Sequence, residues 1–168
     1  MFTWRKDRAN ISDEEPTFHV RYLGCTETYT PVGPGCTTRY VQKLWDNAPS
    51  ERHLKRVAVK LGLGGIWTKT GNKNDVSSSV THFKMEDVSF CAADKSANDR
   101  IFCWISRCNR EADGEAEGRV GPLEVHAVLC STVDKAQTMA AVMSRAFQLA
   151  YKDWRAEKQR ENRKQHQR

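Results

Sequence analysis

The sequence predicts an α+β fold: an antiparallel β-sandwich or partly open barrel of about seven strands, with an inserted helix near the N-terminus and a long capping helix at the C-terminus. Two observations support this prediction. Short runs rich in β-branched and aromatic residues are separated by Gly-, Pro- and Ser-containing turns. The end of the chain instead carries one apolar stripe at helical spacing. A chain of 168 residues fits one domain with a single core.

The first strand and the first helix follow a polar segment. We expect a lead-in over residues 1–15, the folded domain over 16–156 and a basic helical tail over 157–168. Apolar residues 18, 20 and 22 alternate with polar ones, which predicts a half-buried strand that closes at Gly24. Apolar residues between positions 40 and 45 share one helical face, which predicts a helix of about three turns that ends before Pro49.

Six further strands are predicted in the middle of the chain. Each segment is short, contains β-branched or aromatic residues, and is bounded by polar or Gly-rich turns. The segments are 57–61, 66–68, 81–83, 88–92, 101–106 and 123–129. The glycines at 62, 64 and 65 predict a hairpin between the first two of them.

A long amphipathic helix is predicted after the last strand. Ser131 and Asp134 have the spacing of a capping box at its start. Apolar residues then recur every three or four positions at Ala136, Ala140, Met143, Phe147, Ala150 and Trp154. Such a stripe is typical of a helix that covers a sheet.

The segments 88–92 and 101–106 are expected to pair as neighbouring antiparallel strands, because a short polar stretch joins them. A half-open strand beside an apolar helix forms a groove, and an extended peptide can fill that groove as an added strand. The pattern therefore favours a peptide-binding role that depends on no catalytic residue.

Composition argues against several other classes of protein. No apolar run approaches the roughly 20 residues needed to cross a bilayer, and the basic N-terminus lacks the apolar segment of a secretory signal. We therefore expect a cytoplasmic protein. Six cysteines in a chain of this length are expected to stay reduced. Because there is no Cys-x-x-Cys pair and the five histidines are scattered, we expect no metal site and no cofactor.

Five blocks of this sequence occur in an order known from one family. The first block, residues 18–25, reads Phe-His-Val-Arg-Tyr-Leu-Gly-Cys, and the others are 35–36, 88–105, 126–128 and 146–151. Together they resemble the phosphotyrosine-binding (PTB/PID) domain, a variant of the pleckstrin-homology (PH) fold. Within that family the chain looks closest to the adaptor-type members related to Dab and Numb.

The resemblance implies a peptide site. In the family, an Asn-Pro-x-Tyr peptide pairs with the fifth strand, and residues upstream of that motif rest on the closing helix. On this chain the implied backbone partners and apolar wall are Ser89, Phe90, Cys91, Ala92, Met143 and Phe147. For Phe147, ordinary core packing is the alternative, since the helical stripe alone places an apolar residue there.

Phosphate recognition is not favoured at this site. Glu86 and Asp87 directly precede the fifth strand, where many family members carry a basic residue or a histidine. Because acidic side chains repel a phosphate dianion, we expect peptide binding that does not need tyrosine phosphorylation.

The resemblance also implies a second surface. Adaptor-type members bind phosphoinositide headgroups through basic residues near the first helix and the second strand. The corresponding residues here are Arg39, Lys43, Lys55, Arg56 and Lys60. If these cations converge, they attract an inositol phosphate, and the domain becomes a membrane-targeting module. If they do not converge, they are solvating charges, and the sequence leaves both alternatives open.

Two other functions have weaker support. An enzyme needs a nucleophile with a base and an orienting acid, and only His126 lies near a nucleophile candidate, so we expect no catalysis. Residues 152–168 hold seven basic and three acidic residues, but no nucleic-acid recognition module or aromatic platform accompanies them. The expected partners are therefore receptor tails with Asn-Pro-x-Tyr-like motifs, with a phosphoinositide membrane surface as the alternative. We expect a monomer that binds no nucleic acid.

Overall fold

A computed structural model describes residues 15–30, 32–33, 35–71, 79–107 and 122–166, with side chains through residue 164. These residues form seven strands and two α-helices. In chain order they are β1 (Thr17–Thr28), α1 (Thr38–Asp46), β2 (Lys55–Gly62), β3 (Gly65–Thr70), β4 (Ser79–Lys84), β5 (Val88–Ala93), β6 (Ile101–Arg107), β7 (Leu123–Leu129) and α2 (Val133–His166). Single 3-10 turns, Glu51–His53 and Met85–Asp87, precede β2 and β5. Within the described segments, no helix combines the length and the apolar character that a membrane span requires.

The seven strands form one antiparallel sheet in the order β4-β3-β2-β1-β7-β6-β5. The sheet does not close, because β4 and β5 stand at opposite ends of this order. The predicted fold class is thus confirmed. The predicted hairpin is confirmed as well, since Gly62 pairs with Gly65 across its turn.

Strand β1 joins the two halves of the sheet. Its first half pairs with β2 and its second half with β7, and the β7 ladder is irregular between Tyr22 and Gly24. Gly24 has a φ of 137°, which an L side chain rarely adopts, so the strand bends there and continues to Thr28. The prediction that this strand closes at Gly24 is wrong, because the glycine marks a β-bulge inside the strand.

Two hydrophobic clusters lie on the two faces of the sheet. The cluster under α2 includes Phe102 and Trp104 of β6, whereas the cluster under α1 includes Ile101, Cys103 and Ile105 of the same strand. Strand β6 is therefore buried on both faces, and this explains its uninterrupted apolar sequence.

The N-terminus of α2 is capped by Thr132. The backbone N–H of Lys135 donates to Thr132 Oγ1 at 3.1 Å, which satisfies one of the first amides of the helix. The cap predicted at Ser131 is therefore wrong by one residue.

Helix α2 packs against β5, β6 and β2. Its buried residues are Ala136, Met139, Met143 and Ala146. Ala140 and Phe147 flank this row and are partly buried. Trp154, the last member of the predicted stripe, is 49% exposed. The stripe thus covers the sheet for its first part only, and the helix continues past it to His166.

Candidate functional site

Strand β5 forms one edge of the sheet and lies beside α2. It pairs with β6 on one side, and the strand order ends there among the described residues. Helix α2 packs directly on β5. The arrangement predicted from the sequence, an edge strand next to an apolar helix, is therefore present.

The pairing of β5 is regular over its second half. Residues 90–93 pair with residues 102–105 of β6, and the ladder is irregular between Val88 and Phe90. Ser89 lies at this irregular position and is exposed. In an antiparallel pair, alternate residues direct their backbone groups away from the partner strand. The regular stretch 90–93 is thus the part of the edge that is best ordered to accept a new strand.

The helix side of the groove is apolar. Phe147 is partly buried and packs against the same cluster as Cys91 and Ala93 of β5. Met143 is fully buried, so it supports the groove from below and does not form its surface. Burial raises the pKa of the Cys91 thiol well above its ordinary value, so this side chain stays protonated and apolar.

The C-terminal end of β5 is fixed by a buried carboxylate. Thr37, the residue before α1, donates from Oγ1 to Asp94 Oδ2 at 2.7 Å. The backbone N–H of Ser96 donates to the other oxygen of Asp94 at 3.0 Å. Each oxygen of this buried anion thus has a donor, and the end of the edge strand is tied to the first helix.

The N-terminal end of β5 is acidic. The turn Met85–Asp87 directly precedes the strand, and Glu86 is exposed within it. Glu86 and Asp87 therefore lie directly before β5, as predicted from the sequence.

The basic residues predicted for lipid binding are all exposed, and four of them share one face of the sheet. Arg39 and Lys43 lie on α1. The inward-facing valines of β2 belong to the cluster under α2, so Arg56 and Lys60, which alternate with them, lie on the face that α1 covers. Lys55 begins β2 and alternates with Arg56, so it belongs to the other face.

Lys60 already has partners. Its Nζ lies 3.7 Å from a carboxylate oxygen of Glu15 and 4.7 Å from the centre of the Trp67 ring. Arg39, Lys43 and Arg56 have no such ion pair among the described residues, so they are the better anion ligands.

A second concave region was not predicted. A cleft of about 630 Å³ opens where the sheet fails to close, and its lining includes Tyr22, Phe83, Trp104, Glu124 and His126. No sequence pattern pointed directly to this cleft, because its lining comes from strands that are distant in the chain. The position of His126, alternating with apolar residues on a strand, was the one available hint.

His126 is a buried, neutral side chain in this cleft. The Tyr22 hydroxyl lies 2.9 Å from its Nδ1, and the ring stacks on Trp104 with centroids 5.3 Å apart. Burial lowers the pKa of His126 to about 4, although the nearby Glu124 carboxylate opposes this shift. The imidazole is therefore uncharged at neutral pH.

The chain resembles known proteins over most of its length. A family model described as "Phosphotyrosine interaction domain (PTB/PID)" matches residues 17–168. Protein FAM43A of Homo sapiens is 26% identical over 162 residues, which are 96% of this chain and 37% of that protein. Low density lipoprotein receptor adapter protein 1-B of Xenopus laevis is 26% identical over 163 residues, which are 96% of this chain and 48% of that protein. The chain thus spans less than half the length of these relatives.

A solved structure supports the fold. The C-terminal phosphotyrosine interaction domain of mouse APBB2 aligns with a TM-score of 0.55 at 18% identity, covering 82% of this chain and 88% of that domain. Because the family model matches nearly all of the chain and the sheet and helices agree with this domain, the chain belongs to the phosphotyrosine interaction domain (PTB/PID) family.

Proposed function

We propose that this domain is a non-catalytic adaptor module that binds Asn-Pro-x-Tyr-type peptide tails of membrane proteins by strand addition to β5. The observation that supports this best is the edge position of β5 with α2 packed beside it. The name of the low density lipoprotein receptor adapter proteins agrees with an adaptor role. We further propose that the domain acts as a monomer on the cytoplasmic side of membranes, where such tails lie.

Residues 90–93 of β5 supply the backbone groups in this proposal. Main-chain hydrogen bonds bind any extended peptide with similar strength, so they give affinity and little selectivity. Phe90, Cys91 and Ala92 remain the predicted partners, together with Ser89 at the irregular position before them.

Phe147 supplies the selectivity. A residue of the ligand upstream of the Asn-Pro-x-Tyr motif packs on its partly buried ring, while the buried Met143 holds the helix at the correct distance. Large anchors of this kind dominate the energetics of small interfaces.

The acidic turn before β5 supports binding without phosphorylation. Glu86 and Asp87 are adjacent in sequence to the strand, and their carboxylates repel the added phosphate charge. We therefore expect an unphosphorylated peptide to bind at least as tightly as its phosphotyrosine form.

The sharpest test changes the ligand and leaves the domain intact. An Asn-Pro-x-Tyr peptide is synthesised with a single N-methyl group at each successive position upstream of the motif, and each affinity is measured by fluorescence anisotropy. Strand addition predicts that every second N-methyl group weakens binding by roughly tenfold or more, since alternate amides face β5. The intervening positions serve as matched controls.

Three outcomes would contradict the proposal. The first is an absence of binding by both phosphorylated and unphosphorylated peptides. The second is a uniform response to N-methylation. The third is chemical-shift mapping in which the peptide perturbs neither residues 90–92 nor Phe147.

A second candidate function is phosphoinositide binding, and the placement of Arg39, Lys43 and Arg56 on one face of the sheet favours it. Each cation near an anionic surface contributes about 1 kcal/mol. Flotation with vesicles containing a phosphoinositide tests this function. Arg56→Gln with Lys43→Gln should abolish flotation, whereas Phe147→Arg should not affect it. Flotation of the double variant at the wild-type level would exclude this surface.

A further inference from the structure

Three potential metal ligands meet where β1 pairs with β7. Cys25 lies directly opposite His126 in the ladder, and Glu124 is two residues from His126 on the same face of β7. A thiol sulfur, a carboxylate oxygen and an imidazole nitrogen of these residues all lie within 4.8 Å of one another. Cys25 is about 100 positions from Glu124 and His126 in sequence, so the sequence alone did not reveal the cluster.

We propose that Cys25, Glu124 and His126 form a zinc-binding site. Zn²⁺ accepts exactly these three ligand types, and a tetrahedral site with bonds of about 2.0–2.3 Å places its ligand atoms about 3.5 Å apart. Nε2 of His126 already lies 3.2 Å from Oε2 of Glu124. Cys25 is exposed, and its sulfur lies within 4.8 Å of the other two ligand atoms. A water molecule would take the fourth position.

Nε2 of His126 is a buried polar atom without a hydrogen bond to any residue that the structure describes. Its contact with Glu124, at 3.2 Å from Oε2, lacks hydrogen-bond geometry. A buried polar atom of this kind costs free energy unless something binds it. A cation between Nε2 and the carboxylate would satisfy both atoms.

The surroundings hold His126 in the orientation that such a ligand needs. Metal-bound histidines usually donate their second ring N–H to a fixed acceptor. Here Nδ1 lies 2.9 Å from the Tyr22 oxygen, which can accept that proton. Trp104 stacks on the imidazole and Phe83 contacts it edge-on at 4.8 Å, which restricts rotation of the ring.

The β-bulge in β1 is what assembles this site. Tyr22 pairs with Val128 and Cys25 pairs with His126, although Cys25 is three positions after Tyr22, an odd offset. In a regular strand these two side chains would point to opposite faces. The extra residue at the bulge places both on the face of His126.

Zinc binding converts the Cys25 thiol to a thiolate and releases its proton to solvent, so no oxidant or other reactant is needed. The ion can enter from the solvent side, because Cys25 is exposed and the Glu124 side chain is 22% exposed.

The test uses the 168-residue chain, reduced and freed of metal with a chelator. Titration with Co²⁺ should produce a thiolate-to-cobalt charge-transfer band that saturates at one equivalent and disappears when Zn²⁺ is added. Cys25→Ser should abolish the band, and Glu124→Gln should weaken zinc binding at least tenfold. Cys36→Ser is the matched control, because this partly buried thiol lies outside the cluster and its loss should leave the band unchanged.

Thermal unfolding provides an independent measurement. Because the three ligands come together only in the folded chain, zinc should raise the Tm of the wild type and of Cys36→Ser clearly more than the Tm of Cys25→Ser. Circular dichroism establishes that each variant is folded. The proposal is overturned if the wild type gives no charge-transfer band, if the band survives in Cys25→Ser, or if Cys36→Ser removes it.

Discussion

The two edges of the sheet differ in what lies beside them. Residues of β5 are mostly half-buried and α2 packs on the strand, whereas β4 is exposed at almost every position and its main contact is β3. Val80 of β4 is 62% exposed. Both strands end the order of the sheet, so both present backbone groups to a guest strand. Only β5 adds an apolar wall, and in the proposed function this wall is what makes the edge selective for its peptide.

The largest expected effect comes from removing the support of this wall. Met143→Ala deletes a fully buried side chain under α2 and should lower the free energy of unfolding by about 2–5 kcal/mol. The control on the other edge, Val80→Ala, should change it by less than about 0.5 kcal/mol. Urea denaturation measures both. Equal losses in the two variants would show that the helix does not stabilise one edge more than the other.

The next effect concerns ligand binding at the wall itself. Phe147→Arg should weaken Asn-Pro-x-Tyr peptide binding by about 30-fold or more, as expected for the loss of an anchor worth about 2 kcal/mol. Tyr151→Arg, one helical turn further and 58% exposed, is the matched control and should bind normally. Isothermal titration calorimetry measures the affinities. If Phe147→Arg binds the peptide with normal affinity, Phe147 is not an anchor for the ligand, and β5 has no more selectivity than β4.

A smaller effect is expected from the acidic turn at the start of β5. Replacing Glu86 and Asp87 with lysine removes two negative charges and adds two positive ones, so the phosphotyrosine peptide should gain up to about tenfold in affinity. The unphosphorylated peptide should change little. An unchanged ratio between the two peptides would mean that the tyrosine lies far from this turn.

The smallest effect is the pH response of the turn that joins β5 to β6. Arg100 in this turn donates to Glu51 at 2.9 Å, and the interaction lowers the pKa of Glu51. Stability from this pair is complete above the ordinary pKa of glutamate and is lost as the pH falls through the lowered folded value. Unfolding curves of the wild type and of Glu51→Gln, recorded between neutral and acidic pH, measure how much stability the Arg100–Glu51 pair contributes at each pH. A variant with an unchanged acid response would argue against the pair.

Periodicity in the sequence predicted the strands well. The segments from 57 to 129 match the observed strands within two residues at each end, because half-buried strands must alternate apolar and polar positions. The apolar run of β6 does not alternate, and the structure explains this because the strand is buried on both faces. The resemblance to the PTB family then implied the class of peptide and the residues of the site, which periodicity alone does not contain.

The features that were missed depend on register. Gly24 was interpreted as the end of a strand, since a glycine in a strand can mark either an end or a bulge, and only the pairing of β1 with β7 distinguishes them. The approach of Cys25 to His126 follows from the same pairing. Trp154 lies on the helix as its spacing predicts, but it is largely exposed, because spacing does not show where the sheet beneath a helix ends.

The bond from Thr37 to Asp94 has a mechanical consequence. It connects the residue before α1 to the residue after β5, so the first turn of the helix cannot shift without moving the end of the edge strand. If α1 binds an anionic surface as proposed, a shift of the helix would therefore be transmitted to the end of β5. Through this hydrogen bond, movements of α1 and of the end of β5 are coupled.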